Sequence, residues 1–450
     1  MPEVPMRVTV TDLINLAAES PETPIHVAAV AVLEGRPDLA EARARVAARV
    51  AEAPRLRQVL RFPGPARGRL FRTDHPGPAW RRLFGTNHPG PARGRLFRTD
   101  HPGPIWRRPF WTDHPGFRAE RHVEIAEVPA PGDEGALLRL TERLIEPMLD
   151  RSQPLWRLWL VPLPEGRSAL IFLLHHVVAD GQAALGLVSR LLGDDIAPAR
   201  VPSSMRGGQG SRLPGVRMLL FGPKTSLNVP VSATRRLALI RLDLAAVKAV
   251  AHLHGATVND VVLALVTGGL RALVRSRGEP LESLRLTASV AVSLRPPGSN
   301  PVIGNRVGAV LVRLPVTETR PSARLAQVAQ TTARAKREQS ATAATGILTL
   351  MARLGTARWC ARHQRVTTVV ESDLIGPPEP IRLLGVPVRA LIPVGNLAGN
   401  VGLSFVALSY AGRLTVTVHA DAAGFPDLPV LLDGMRREAA ALDLPVTVVP

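Results

Sequence analysis

The stretch Ile171-Phe-Leu-Leu-His-His-Val-Val-Ala-Asp-Gly181 decides how the rest of this 450-residue chain is interpreted. It begins with an apolar run that predicts a buried strand, and that strand ends at His175 and His176. Asp180 and Gly181 follow shortly after, at a predicted tight turn. Histidine accepts a proton near neutral pH because its unperturbed pKa lies there. The stretch therefore predicts a histidine presented as a general base at the end of a buried strand.

The composition is that of a folded protein with two domains or two packed halves, because 450 residues exceed one ordinary core. Hydrophobic residues make up 46% of the chain and charged residues 21%, which argues against wholesale disorder. Cys360 is the single cysteine, so no intramolecular disulfide is expected. This cysteine usage favours a reducing, cytoplasmic compartment.

Signals for export and for membrane insertion are not expected. The segment from Met1 to Arg7 has no basic stretch followed by an apolar core, unlike a secretory signal. The longest uncharged span, residues 390–412, is interrupted by Pro393, Gly395 and Gly399. These interruptions favour two strands and a loop over a membrane-spanning helix.

The formal net charge of +19 suggests an anionic partner. Residues 62–113 contribute ten Arg against three Asp. We predict no nucleic-acid partner, because no nucleic-acid-binding motif is recognisable and a single Tyr offers little for base stacking. Attraction to an anionic membrane surface is the favoured interpretation, and a solvated basic surface is the alternative.

Residues 62–113 are four tandem copies of a 13-residue unit, each with a Pro-Gly-Pro segment near its start. Such segments block continuous helix or strand, and the few apolar residues per unit cannot form a core. We predict an inserted surface loop, with a basic, Trp-bearing arm that touches membrane as the alternative. Histidines recur at the same position, but each precedes Pro and lacks carboxylate or cysteine neighbours, so no metal site is predicted; they are His75, His88, His101 and His114.

Helical and strand patterns alternate on both sides of a Pro-, Gly- and Ser-rich segment. We therefore predict an α/β (mixed α+β) protein with a first half over residues 1–195, a linker over 196–235 and a second half over 236–450. Within these halves we expect extended chain over 117–125 and helix over 343–363.

Several short motifs give the sequence a family resemblance. The pattern His-His-x-x-x-Asp-Gly resembles the signature of the CoA-dependent acyltransferase superfamily, which includes chloramphenicol acetyltransferase and peptide-synthetase condensation domains. Together with the motifs below, in this order, it resembles the bacterial bifunctional wax ester synthase/diacylglycerol acyltransferase family from about Thr11 to Leu442. The motifs are Pro154-Leu-Trp156, Gly255-Ala-Thr-Val-Asn-Asp-Val-Val262, Val292-Ser-Leu-Arg295, Gly304-Asn-Arg-Val307, Ser409-Tyr-Ala-Gly412 and Phe425-Pro-Asp427.

The resemblance implies two chloramphenicol-acetyltransferase-like halves, each a mixed β-sheet with helices, and a site in a tunnel between them. It implies transfer of a fatty acyl group from CoA to diacylglycerol or to a long-chain alcohol. Acyl-CoA is then a substrate, and no cofactor is expected. The implied location is cytoplasmic, in peripheral contact with the inner face of the plasma membrane or with lipid droplets.

The resemblance also implies roles for the central motif. His176 matches the general base. Asp180 is expected to orient its loop by pairing with Arg295, although a solvated turn aspartate is the alternative. Gly181 is expected to permit a backbone angle or a close approach that a side chain would block. His175 is more simply explained as a packed or hydrogen-bonded structural residue.

Other polar residues are candidates for supporting roles. Asn259 and Asp260 begin a predicted helix, where they would cap exposed amides or, by resemblance, contact substrate or the oxyanion. Ser293 is a supporting candidate rather than a nucleophile, because neither it nor Ser372 lies in a Gly-x-Ser-x-Gly elbow. Trp156 is predicted to be a core residue near the tunnel.

Two departures from the family pattern keep other functions open. Ala291 stands where the family has Pro, and Asp373 stands where it has Asn. Both changes leave substrate preference and activity open. The alternatives are a related acyltransferase or condensation enzyme with a carrier-bound acyl donor, and a catalytically degenerate protein that binds lipid droplets.

Overall fold

The computed structural model describes residues 6–62, 108–194, 222–295, 304–338 and 345–449. Most of the tandem repeat and most of the predicted linker lie outside the described residues. The described residues form fifteen strands and ten α-helices.

The strands are β1 (His26–Leu33), β2 (Gln58–Arg61), β3 (Phe110–Asp113), β4 (Val123–Ile125), β5 (Trp156–Pro162), β6 (Ser168–His175), β7 (Arg235–Asp243), β8 (Thr287–Ser293), β9 (Val307–Arg313), β10 (Val369–Ile375), β11 (Arg382–Leu383), β12 (Val386–Val394), β13 (Leu403–Tyr410), β14 (Arg413–Asp421) and β15 (Val446–Val449). The helices are α1 (Val10–Ala18), α2 (Leu39–Arg49), α3 (Glu134–Ile145), α4 (Gly181–Leu192), α5 (Leu244–Leu253), α6 (Val258–Ser276), α7 (Pro321–Glu338), α8 (Thr345–Arg353), α9 (Ala357–His363) and α10 (Leu428–Ala440).

Two mixed sheets organise the described chain, which confirms the predicted α/β class. The first has the strand order β11-β12-β1-β6-β5-β4, with β4 and β5 parallel. The second has the order β15-β7-β14-β13-β10-β8-β9, with β10 parallel to both of its neighbours. A separate two-stranded ribbon pairs β2 with β3.

The second half contributes strands to the first sheet. β12 pairs antiparallel with β1 and so completes the first sheet, although the sequence placed it in the second half. Its apolar residues are typical of a buried strand but do not specify which sheet it joins, because any exposed edge offers the same backbone hydrogen bonds. The predicted boundary between the halves therefore does not describe how the sheets are built.

Three local expectations need correction. The last four residues of the repeat form β3, where Trp111 is buried, so the inserted segment does not end as a surface loop. The segment predicted to be extended contains a 3-10 helix over Ala119–His122 before β4. The single helix expected over 343–363 is divided into α8 and α9 at Gly355, whose φ of +72° ends the first helix.

A largely buried helix, α6, forms the centre of the second half, covered by α10. The two helices approach closely because glycines face each other across their contact. A Cβ on Gly269 would lie 2.5 Å from Met435 Cγ, and one on Gly434 would lie 2.7 Å from Ala272 Cβ. The contact fixes this layer against the second sheet.

Within the described residues, no single helix has the length and apolar composition of a membrane span. The consecutive helices α5 and α6 meet those two criteria only as a pair, which is bent by 92° at its junction.

Candidate active site

Strand β6 carries the histidine pair to the junction of the two halves. β6 pairs with β1 along its whole length, with His175 opposite His26. The backbone N–H of His176 then donates to the Ile25 carbonyl at 2.8 Å, which holds the chain beyond the end of the strand. The turn closes when Val178 N donates to the His175 carbonyl at 2.8 Å, and α4 begins at Gly181. His176 stays partly exposed.

Asn305 fixes the orientation of the His176 ring. Its amide nitrogen donates to Asp12 Oδ1 and to the His176 carbonyl, each at 2.6 Å. Since both partners are acceptors, the Asn305 nitrogen must face them, and its Oδ1 then lies 3.1 Å from His176 Nδ1. An amide oxygen only accepts, so Nδ1 carries the proton. Nε2 is left with its lone pair, as a general base requires.

A second amide lies near the same ring nitrogen. Asn15 Nδ2 is 3.5 Å from His176 Nδ1. A protonated Nδ1 cannot accept a hydrogen bond from this amide, and the contact is longer than the one with Asn305. The shorter contact, with the oxygen that Asp12 orients, therefore decides the tautomer.

Burial lowers the pKa of His176 below its ordinary value of 6.5, while the nearby charge of Asp180 opposes that shift. The net direction keeps the imidazole neutral at neutral pH. A neutral ring with a free Nε2 is able to take a proton from a hydroxyl group.

Asp180 and Arg295 form the pair that the family resemblance implied. Asp180 Oδ2 lies 2.7 Å from Arg295 Nη1, and both side chains are buried. The same oxygen accepts from the Arg306 backbone N–H at 2.9 Å, while Oδ1 caps α4 through Ala183 N at 3.0 Å. Arg295 also donates to the Gly304 carbonyl at 2.9 Å. These bonds tie the histidine turn to the chain that carries Asn305.

Replacing Asp180 with Asn is expected to destabilise the protein by about 3–5 kcal/mol, because it leaves the buried Arg295 charge without its carboxylate. Denaturant unfolding measures this loss. The matched control is Asp133→Asn, since Asp133 caps α3 through Ala136 N but is exposed and has no such buried pair. Asn caps as well as Asp, so the control should unfold like the parent protein. Equal effects in the two variants would contradict a structural role for the pair.

Gly181 allows a close approach between α4 and Leu374, and its backbone angle is not unusual. A Cβ at this position would lie 3.2 Å from both terminal methyl carbons of Leu374 in β10. The approach lets α4 of the first half pack directly on the second sheet.

His175 belongs to a buried polar group behind the turn. Its Nδ1 accepts from Val177 N at 3.0 Å, so its proton is on Nε2, which lies 3.1 Å from Glu19 Oε1. Glu19 also pairs with Arg151. Burial alone would raise the pKa of Glu19, but His175 and Arg151 outweigh it and hold that pKa well below its ordinary range. This environment supports the structural interpretation of His175.

Asn259 and Asp260 are directed into the second half. Asp260 forms a capping box with Thr257 at the start of α6. Asn259 Nδ2, in the amide orientation that pairs donor with acceptor, lies 2.8 and 3.1 Å from the two carboxyl oxygens of Glu371. The described contacts of these two residues thus lead to a helix cap and a buried carboxyl group rather than to His176. Their proposed contact with substrate stays a prediction.

Asp373 lies two residues after Glu371 in β10, so both side chains point to the same side of the strand. Burial, and secondarily the charge of Asp373, raises the pKa of Glu371 well above its ordinary value. Burial also raises the pKa of Asp373 from 3.8 to about 7, against the attraction of Lys336. The aspartate that stands in place of an amide is therefore uncharged at mildly acidic pH.

Asp373→Asn is expected to stabilise the protein more at pH 8 than at pH 5.5. A carboxyl group whose folded-state pKa is raised contributes stability that is lost as the pH rises toward about 7. Asn has no ionisation to lose, so the melting temperature of the variant should exceed that of the parent by a few degrees at pH 8. A melting-temperature difference that does not change with pH would contradict this assignment.

Ser293 and Trp156 make their described contacts within the protein framework. Ser293 Oγ accepts from Arg295 N at 3.2 Å and so steadies the residue that pairs with Asp180. Trp156 is fully buried, stacks on His122 and donates to the Leu56 carbonyl at 2.6 Å. Ser372 is partly buried in β10.

An apolar cleft lies beneath α4, between that helix and the face of the first sheet. Its walls include Phe172, Leu185, Val188, Ile381 and Leu391. His176 is not among the lining residues, so the predicted tunnel through the histidine stays a prediction.

Sequence reasoning missed Asp12, Asn15 and Glu19, and it gave Asn305 no role. Asn305 was quoted only as part of the Gly304-Asn-Arg-Val307 motif. Asp12 has the pattern of an ordinary helix cap, since its Oδ2 accepts from Thr9 N at 2.8 Å in a capping box. Its second oxygen, which orients Asn305, has no signature in the local sequence.

Comparison with known proteins identifies the family. The model of the wax ester synthase/diacylglycerol acyltransferase catalytic domain matches residues 95–219 and 214–262. The model of the C-terminal domain of the same family matches residues 303–443. The two matches follow each other in the family's order and together cover more than half of the chain. The chain belongs to the wax ester synthase/diacylglycerol acyltransferase family.

Relatives carry corresponding names. A probable diacylglycerol O-acyltransferase, tgs1, of Mycobacterium tuberculosis is 29% identical over 367 residues, which cover 72% of this chain and 79% of that protein. A second one, tgs2, of the same species is 28% identical and covers 72% of this chain and 81% of that protein.

Solved structures share the fold. The wax ester synthase/diacylglycerol acyltransferase from Marinobacter aquaeolei VT8 matches with a TM-score of 0.65 at 21% identity, covering 97% of this chain and 98% of that chain. The first condensation domain of the calcium-dependent antibiotic synthetase matches with a TM-score of 0.61 at 17% identity, covering 98% and 97% of the two chains. The chain therefore has the two-sheet acyltransferase and condensation-domain fold that the motifs implied.

Proposed function

We propose that this member of the wax ester synthase/diacylglycerol acyltransferase family transfers a fatty acyl group from CoA to the hydroxyl of diacylglycerol or of a long-chain alcohol. His176 acts as the general base. The observation that carries this assignment is the Asp12–Asn305–His176 chain of hydrogen bonds, which places the proton on Nδ1 and leaves Nε2 free. The names of the mycobacterial relatives support diacylglycerol as an acceptor.

In the proposed reaction His176 accepts one proton from the alcohol and later donates one proton to the CoA sulfur. Nε2 of His176 takes the proton of the alcohol as its oxygen attacks the thioester carbonyl carbon. The tetrahedral intermediate then collapses, the carbon–sulfur bond breaks, and the imidazolium returns its proton to the CoA sulfur. The products are an ester and free CoA. This series of reaction steps requires neither a covalent acyl-enzyme nor an additional cofactor.

We also propose a cytoplasmic protein in peripheral contact with the inner face of the plasma membrane or with lipid droplets. The acceptors have long apolar chains and reside in such surfaces. The formal net charge of +19 favours attraction to anionic lipid headgroups.

The test is a screen of acyl donors against acceptors with the purified protein. Palmitoyl-CoA with diolein or hexadecanol should release free CoA and form the matching ester. Turnover with an acyl-carrier-protein donor but not with acyl-CoA would favour a condensation-type enzyme. Lipid binding without turnover by any donor would favour the degenerate binding protein.

A further inference from the structure

Helices α8 and α9 form a hairpin whose outer side carries large apolar side chains. Leu350 is 57% exposed, Leu354 52% and Trp359 46%. Leu350 and Leu354 are four residues apart and lie on one side of the helix and its end, while Trp359 lies in the next helix. These three exposed apolar side chains lie within residues 350–359, and we call them the hairpin patch.

The segment that carries the hairpin patch is basic. Residues 345–365 contain four Arg and no Asp or Glu. Arg353 and Arg362 are exposed on the same two helices. Arg358 instead points inward, where it donates to the Glu19 carbonyl. An apolar strip with basic borders and an amphipathic Trp is the composition of helices that lie in a lipid interface.

The inner side of the hairpin is packed on the site already described. Ala352 is buried, and both helices lie against α1. α1 carries Asp12 and Asn15, the side chains next to Asn305 and His176. A surface on which the hairpin patch rests is therefore separated from the histidine site by a single helix.

Two other exposed apolar residues, Leu253 and Ile125, stand apart from the hairpin patch. Leu253 is 79% exposed at the end of α5, and Ile125 is 52% exposed at the end of β4. Each stands on a different element, as single exposed apolar residues commonly do. They provide matched controls for exposure without a patch.

We infer that the α8–α9 hairpin docks the protein on an anionic lipid bilayer, with Leu350, Leu354 and Trp359 inserted among the acyl chains and Arg353 and Arg362 at the headgroups. The inference rests on the proposed function only in assuming that the bilayer supplies the lipid acceptor of the reaction. Docking through this hairpin brings α1 and the histidine site to the membrane surface. It assigns membrane contact to the second half of the chain rather than to the basic repeat.

The experiment measures co-sedimentation of the full chain with phosphatidylcholine vesicles that contain or lack phosphatidylglycerol. The triple variant Leu350→Ser, Leu354→Ser, Trp359→Ser should lose about tenfold or more in partitioning onto anionic vesicles. Arg353→Glu with Arg362→Glu should lose binding mainly at low salt, where headgroup attraction is least screened. Leu253→Ser should bind like the parent protein.

Activity assays separate docking from chemistry. With diolein in anionic vesicles the triple variant should turn over at least about tenfold more slowly, in proportion to its lost binding. With a short-chain alcohol dissolved as monomers it should match the parent, since no catalytic contact is changed. If neither the parent nor the variants show turnover but the triple variant binds vesicles more weakly than the parent, the docking inference is supported and the proposed function is not.

Three results would overturn the inference. One is parent-like vesicle binding by the triple variant. Another is an equal loss of binding in Leu253→Ser. The last is a parent dimer, measured by light scattering, that the triple variant converts to monomer without a change in vesicle binding; the patch would then belong to an interface between two copies.

Discussion

His176→Ala is expected to lower kcat for acyl transfer from palmitoyl-CoA by ~10²–10⁴, the usual contribution of a positioned general base. The fold should survive, because the ring is partly exposed and the backbone bond from His176 N to the Ile25 carbonyl does not depend on the side chain. Release of free CoA measures the rate, and thermal melting measures the fold.

His175→Ala provides the contrast. Its ring is buried against Glu19, so its removal leaves a buried carboxylate with one partner fewer and should lower the melting temperature. The two variants should therefore differ in their main effect. His176→Ala should lower the rate of acyl transfer with little change in melting temperature, whereas His175→Ala should mainly lower the melting temperature. Unchanged turnover in His176→Ala would remove the proposed mechanism.

Changes at Asn305 are expected to have the next largest effect, because this residue selects the His176 tautomer. Asn305→Ala removes the oxygen that holds the Nδ1 proton, so kcat should fall on the order of tenfold to a hundredfold with little change in KM. Asp12→Asn should act in the same direction, because the amide of Asn305 then loses the carboxylate that orients it.

The pH profile separates this positioning role from general damage. The hydrogen bond that His176 Nδ1–H donates to Asn305 Oδ1 raises the pKa of His176, so Asn305→Ala should move the acidic limb of kcat/KM to lower pH. Asn305→Asp places a carboxylate at the same ring nitrogen, which favours the imidazolium and should move that limb to higher pH. Shifts of the same sign in both variants would show that Asn305 acts only on the fold. The ¹⁵N shifts of His176 report the tautomer directly.

Local sequence was sufficient where neighbouring residues determine the structure. The apolar run before His175 predicted β6. The pairing of Asp180 with Arg295 was also expected, although only the family resemblance connected two segments so far apart.

Long-range contacts were not predictable in the same way. β12 could join either sheet by its pattern, and only the packed molecule selects β1 as its partner. The exposure of Leu350, Leu354 and Trp359 could not be predicted either, because the same residue types would suit a buried helix. Their orientation depends on which side of the hairpin α1 covers.

The sequence alone indicated the proposed base and the strand that presents it, because both lie in consecutive residues, and a set of ordered motifs indicated the family. Tertiary structure decided which nitrogen of that histidine is free. Asp12 and Asn305 are 293 positions apart, and their hydrogen bond exists only because the two halves close on each other. A tautomer depends on the donors and acceptors that folding brings to the ring, and no local pattern records them.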